Sequence, residues 1–318
     1  MNDERGAAGV LIAITIAVLL GMAGLVIDVG AMYQERRVLS NGADAAALAI
    51  AEDCALGHGS CDDFTGGVTA KSFADSNADD GVAAVDLVSI DHSAQTVTVT
   101  LSTLDPEGDT KLDPYFAEVV GFHGATIRAT AIAQWGYPSE GYALPLVISE
   151  CEFPDTSVLP TAEKTIYFHD GNNAEPCNAQ AGLDADGDGF LAGGFGWMTS
   201  DGGCDTYLTI GQWFSDDPGS SPSNGCVPSD IFDLIGEEIP LPIFDDLVGV
   251  GSTGQYHIHS LALFQVTGFN FGGEYKYPNT PPCSGDERCI SGRFTTGAIY
   301  EGEFGGPDSG FYLVKLIG

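Results

Sequence analysis

Basic residues are scarce in this chain: 11 Lys and Arg stand against 45 Asp and Glu, a formal charge of −34 with histidine neutral. That deficit excludes nucleic-acid binding in its ordinary form, because neutralising phosphates takes a basic face. It also argues against adsorption to anionic lipid. No HExxH, GxSxG or GxxxxGK[ST] occurs, so the zinc-protease, hydrolase-elbow and P-loop signatures are missing. CxxC pairs are absent as well, which removes a common zinc spacing. No proline precedes Pro106, so nothing of that kind interrupts a long N-terminal helix. What the chain has instead is 44% apolar residues, 43 Gly and 16 Pro. These supply an ample core and many turns, the composition of β-structure with loops. The acidity favours a solvated, self-repelling exterior that leaves room for cations.

Gly6 to Ile27 carries no charge, and about 20 apolar residues suffice for a helix to cross a bilayer. A cleaved signal peptide is the competing reading. It fits less well, because MNDER lacks a basic excess and the apolar run exceeds the usual length. Arg5 before the run and Arg36 and Arg37 after it do not set the orientation. The cysteines bear on it more directly. Cys54, Cys61, Cys151, Cys177, Cys204, Cys226, Cys283 and Cys289 all follow the apolar run. An even set without zinc spacing reads as disulfides in an oxidising space. Short separations favour Cys54–Cys61 and Cys283–Cys289, which leaves Cys151–Cys177 and Cys204–Cys226 as sequential pairs. The expected protein is single-pass in the cell membrane, with residues 1–7 cytoplasmic and the bulk of the chain outside.

Helical pattern continues past the membrane, so residues 8–53 are expected as one helix of about 70 Å. Small residues recur every fourth position, at Gly9, Ala13, Ala17 and Gly21 inside the span and at Ala43, Ala47 and Ala51 beyond it. Each set shares a helix face and permits close packing. Residues 54–136 read as a small α+β unit: a weak helix from Phe64, a hairpin over Val85–Asp105, a helix over PYFAEVVGF and a strand over Ala125–Trp135. Pro114 suits the first turn of that second helix, with Asp113 as its cap. From residue 137 to 318 short β-like runs alternate with Gly, Pro, Asp and Cys, as in a disulfide-braced β-rich domain. Its expected strands cover residues 142–149, 164–170, 255–269, 293–304 and 311–317. The fold class is therefore α+β.

Three features are candidates for chemistry. Asp184, Asp186 and Asp188 with Gly189 match the front half of an EF-hand-type Ca²⁺ loop, although position 12 is Phe195 rather than a bidentate Glu. The spacing favours calcium, with Asp201 or Asp205 completing the shell from a following turn; an acidic surface turn is the competing reading. His257 and His259 lie two apart on an expected strand, hence on one face, as two metal ligands or as an ordinary sheet face. Asp28 ends the apolar run, either as a charge for a partner helix or as an interfacial residue. The interfacial role is the expected one.

Glu4–Ala51 resembles the N-terminal segment of the TadE/TadG-like family of the tight-adherence (Flp) pilus assembly system. The matching elements are Glu4-Arg5-Gly6, Asp28-Val29-Gly30, the tyrosine and arginines at 33–37, and Asn41-Gly42-Ala43-Asp44-Ala45-Ala46-Ala47-Leu48-Ala49. Later stretches resemble long TadG-like proteins: GGFGWM at 193–198, PLPIFDD at 240–246, QYHIHSLALFQVTGF at 255–269 and CISGRF at 289–294. The resemblance implies a pilin-like unit over 54–136 and a membrane-anchored minor pseudopilin or accessory component without enzymatic activity. Its partners would be other Tad pilus or membrane-platform proteins, reached through the N-terminal helix, with no small-molecule substrate. One departure concerns processing. Gly6 is followed by Ala7-Ala8-Gly9-Val10-Leu11, without the glutamate that processed pilins carry at the fifth mature position. The alternative from a different class is a cell-surface calcium-binding adhesion or ligand-binding module that works without pili.

Overall fold

A computed structural model describes residues 5–59, 61–154, 156–168, 177–178, 190–191, 193–249 and 251–318. The chain forms two compact units, Met1–Trp135 with Lys315–Gly318, and Gly136–Val314.

The first unit is organised by α1 (Arg5–Ala55), a single helix of 51 residues, about 76 Å long at 1.5 Å per residue. Its two halves have opposite surroundings. Val10, Leu11, Ile14, Leu20 and Val26 are exposed, and the segment is apolar enough to cross a membrane. Beyond residue 38 the helix turns inward: Leu39, Ala43, Ala46, Ala47, Ile50 and Ala51 are all buried. Against that seam pack α2 (Asp63–Asn77) and the strands β1 (Ala84–Asp91), β2 (Thr96–Ser102) and β3 (Arg128–Gly136), paired antiparallel with β2 between the other two. Asp62 starts α2 by accepting the Phe64 and Thr65 N–H groups at 3.0 Å, which satisfies two donors that a helix end leaves free. The Cys54–Cys61 disulfide joins the end of α1 to the turn before α2. β2 sends Val97, Val99 and Leu101 into the core, the alternation that a half-buried strand requires. The chain end returns here, where the Ile317 N–H donates to the Ile132 carbonyl and the Ile132 N–H to that of Gly318.

Small residues decide how closely these layers meet. A Cβ on residue 42 would lie 3.2 Å from Leu101 Cδ1 and 3.5 Å from both the Ala74 Cα and the Asn77 Cβ. Glycine at 42 therefore sets the distance from α1 to both α2 and β2, and the alanines that follow it continue the seam.

The second unit is β-rich. Its largest sheet is built around the 18-residue strand Gln255–Gly272, with strand order 164–167, 289–295, 255–272, 238–248, 146–149, 195–197. The pairings are antiparallel except for Ile243 and Phe244 beside Ile148 and Ser149. Aromatic rings fill the core: Trp197 meets Phe271 edge to face at 5.1 Å, Phe264 meets Phe294 at 5.0 Å, and Phe269 stacks on Phe271 at 5.3 Å. Such rings bury large areas and lock into preferred geometries. Disulfides Cys204–Cys226 and Cys283–Cys289 brace the loops, and Cys151 is also disulfide-bonded. The strand expected over 142–149 is two strands, Pro138–Ala143 and Leu146–Ser149. Pro145 separates them because it has no N–H to give a ladder. The expected 293–304 likewise divides into Cys289–Thr295, Gly297–Ile299 and Glu303–Phe304.

Gly42→Val should lower the stability of the first unit by about 1–3 kcal/mol, the usual cost of forcing extra methyl groups into a packed seam. Gly67→Ala, within α2 and with nothing within 4 Å of the new Cβ, should instead add about 0.5–1 kcal/mol. Denaturant unfolding of the full chain in detergent, followed by helix signal, checks both signs.

Candidate functional site

Asp28 is the first charged residue after the apolar run, yet only 3% of it is exposed. Its carboxylate accepts three successive backbone donors. Oδ1 takes the Tyr115 N–H at 2.7 Å, Oδ2 takes the Ala117 N–H at 2.6 Å, and the Phe116 N–H lies 3.1–3.2 Å from both oxygens. These donors open the 3-10 turn Ala117–Val120, which ends at Gly121 with a left-handed φ of 86°. The longer helix expected over this stretch does not form, and Asp113 is not its cap. Asp28 fills that role from 87 residues away. A carboxylate facing several N–H groups makes strong, charge-assisted bonds. Asp28 is thus buried and engaged by the chain's own backbone, and not free for a partner helix.

One turn below Asp28, Gly24 receives the same loop. A Cβ on residue 24 would stand 2.8 Å from the Phe116 Cβ and 2.9 Å from its Cγ. One turn above it, the residues of the Tyr33–Arg37 stretch divide their tasks. Tyr33 and Arg36 join Val29, Met32, Thr126, Ile127 and Arg128 around a groove of about 370 Å³. Glu35 is half-buried: burial pushes its carboxyl above the ordinary range, the Thr103 side chain opposes this, and Asp80 and Asp79 push the same way as burial.

The second cluster lies in the other unit. His257 and His259 share a face of strand Gln255–Gly272, and both address Asp245 on the neighbouring strand. His257 Nδ1 is 2.6 Å from Asp245 Oδ1, and His259 Nδ1 is 3.3 Å from Oδ2. Oδ2 makes no well-aligned hydrogen bond, so the His259 contact is chiefly that of an ion pair. The ladder slips between Phe244 and Asp246, and such irregularities re-aim a side chain. Here the slip turns a carboxylate with 0% exposure between two imidazoles. Trp213 covers His257, with ring centres 5.1 Å apart. Burial pushes the Asp245 carboxyl up, but the two histidines outweigh it and hold the group below its ordinary range. Asp245 raises His259 above its ordinary value, and the Glu150 charge adds to this. Among the described residues no group of three or more His, Cys, Asp or Glu side chains could hold a metal. The pair is better explained by the shared carboxylate than by metal ligation.

Of the other residues singled out, Asp184, Asp186 and Asp188 lie outside the described residues. Within the span, Gly9, Ala13, Ala17 and Gly21 are exposed, whereas Ala43, Ala47 and Ala51 are buried. Sequence reasoning missed Asp245 and the strand Glu238–Val248 that carries it. Alternation around Pro240-Leu241-Pro242-Ile243-Phe244 was the available signal, masked by two prolines.

Residues 6–52 match a family model described as "Putative Flp pilus-assembly TadE/G-like". The N-terminal segment is TadE/G-like. The matched stretch ends within three residues of the end of α1, so it covers the spanning half, the Asp28 clamp and the buried Ala seam. No curated protein and no solved structure matches the chain.

Both clusters can be tested through stability. Asp28→Ala should cost about 1–3 kcal/mol by leaving buried donors unmet, and should raise hydrogen exchange at the amides of 115–117; exchange mass spectrometry of the full chain reads both. The His259 value raised in the folded state supplies stability that is fully present below about 6.5 and is lost as pH rises through the raised folded value. The lowered Asp245 value acts at the other end, lost only as pH falls below about 3.8. The second unit should therefore melt at lower temperature on going from mildly acidic to mildly alkaline buffer, and His259→Gln should flatten that slope.

Proposed function

We propose that this chain is a membrane-anchored accessory component of Flp pilus assembly, of the minor-pseudopilin kind, working by contact rather than by catalysis. The TadE/G-like match over residues 6–52 carries the reading. The long apolar helix with a single span supports membrane anchoring. Disulfides at Cys54–Cys61, Cys204–Cys226 and Cys283–Cys289 support an oxidising compartment for everything after α1. In this reading residues 1–7 are cytoplasmic and both units lie outside.

The partner surface within the membrane is the stripe of Gly9, Ala13, Ala17 and Gly21. Nothing lies within 4 Å of a Cβ at Gly9 or Gly21, so the chain itself leaves this face open for a second helix to approach closely. Larger side chains there should leave the fold of this chain intact and still block a neighbour. We expect the double variant Gly9→Leu and Gly21→Leu to express and melt like the wild type, while losing co-purification with the pilus platform and lowering surface piliation. Unchanged piliation and co-purification would remove the support for this mode of action.

A further inference from the structure

Among the described residues, Pro114–Phe122 form the part of the first unit that reaches down α1 into its apolar run. Between Gly9 and Gly30, only Gly24 and Asp28 are buried among the described residues, and the loop covers both. The apolar run begins at Gly6, directly after Arg5. A hydrocarbon core of about 30 Å takes about 20 residues at 1.5 Å per residue and therefore ends close to Leu25 and Val26. Gly24 lies at that boundary, on the membrane side of it, and the Phe116 side chain rests against it. The outer face of the loop is apolar and has no cover: Val119 is 92% exposed, Tyr115 75% and Phe116 50%, with Phe122 also exposed.

We propose that Pro114–Phe122 is a second membrane contact, a wedge whose Tyr115, Phe116, Val119 and Phe122 side chains lie in the lipid interface beside α1. The depth argument selects lipid as the occupant, because the loop is fixed to a turn of the helix that lies within the bilayer. The backbone is suited to that medium. Asp28 takes the donors of 115–117, the Val119 and Gly121 N–H groups donate to the Phe116 and Glu118 carbonyls, and that of Phe122 donates to Ala117. A loop at membrane depth needs such internal partners, since lipid offers none. Aromatic side chains favour this interfacial layer. The charge on Glu118 restricts the wedge to the interface, where a carboxylate still reaches water. With a formal charge of −34 the contact cannot draw on anionic headgroups, so zwitterionic lipid suffices.

The inference rests on α1 crossing the membrane, and the experiment separates the two. The full chain is reconstituted in phosphatidylcholine vesicles containing lipid brominated near the headgroup end of the acyl chain. Val119→Trp and Val26→Trp variants are compared with the wild type, whose three tryptophans supply the background. Both sites are solvent-facing in the isolated chain, so neither substitution disturbs packing. Loss of the added emission in both variants, at low and high salt alike, is the expected result. Quenching of Val26→Trp without quenching of Val119→Trp overturns the wedge and leaves the span intact. The wedge is likewise overturned if the Val119→Trp emission is shielded only at high protein-to-lipid ratio, since a neighbouring protein then covers the loop. No quenching in either variant refutes the span itself, and the wedge with it.

Discussion

One carboxylate holds the loop after Pro114 to the membrane end of α1. Asp28 gathers the N–H groups of Tyr115, Phe116 and Ala117, and no other group on that part of α1 is available to do so. Without it, a turn that opens with unpaired donors would have to sit against an apolar helix, where each unmet donor costs about 1–3 kcal/mol. The clamp also fixes where the loop stands along α1. Gly24 then becomes necessary, because the Phe116 side chain occupies the space a Cβ would need. Gly24 and Asp28, one turn apart, act as a single receptor for one loop.

Elsewhere charge contributes little to the fold, despite its abundance. The ion pairs Lys71–Asp75, Arg128–Asp86 and Lys164–Glu152 are all partly exposed, and such pairs are worth about 0–1 kcal/mol. Most of the 45 acidic side chains have no basic partner at all, since only 11 are present. Cohesion therefore comes from the Ala seam between α1 and α2, from the aromatic core around Gln255–Gly272 and from the disulfides. Asp245 is the exception. It is fully buried, and it is tolerable because two imidazoles face it; removing either would leave a buried carboxylate short of a partner.

The parts legible in the sequence are those whose signals are local. The long helix follows from an uninterrupted apolar run and the absence of proline, and α2, β1, β2 and β3 follow from short-range periodicity and turns. Short-range cysteine spacing likewise anticipated the bridges at Cys54–Cys61 and Cys283–Cys289. The two clusters of interest were hidden for one reason: each joins residues brought together only by the fold. Asp28 and Tyr115 are 87 apart, and the Pro114 signal pointed to Asp113 as the nearer cap. His257 and His259 were visible as a pair, but the carboxylate between them depends on a slip in the ladder of the adjoining strand. Periodicity decides which face a side chain takes and says nothing of such slips.

The TadE/G-like segment gains a physical meaning from this division. Its first half is apolar and exposed, as a span requires. Its second half, Asn41-Gly42-Ala43-Asp44-Ala45-Ala46-Ala47-Leu48-Ala49, would be a poor span and is not one. Gly42, Ala43, Ala46 and Ala47 are buried, and their small size lets α2 and β2 approach the helix. Yet the elements that fill that seam, residues 63–102, lie outside the matched stretch. The matched stretch thus supplies one half of an interface, and Ala70, Ala74 and Leu101 supply the other half. One helix carries both the exposed apolar face and the buried docking seam. The apolar run and the docking seam are thus joined by one continuous element, since α1 runs from one to the other without a break.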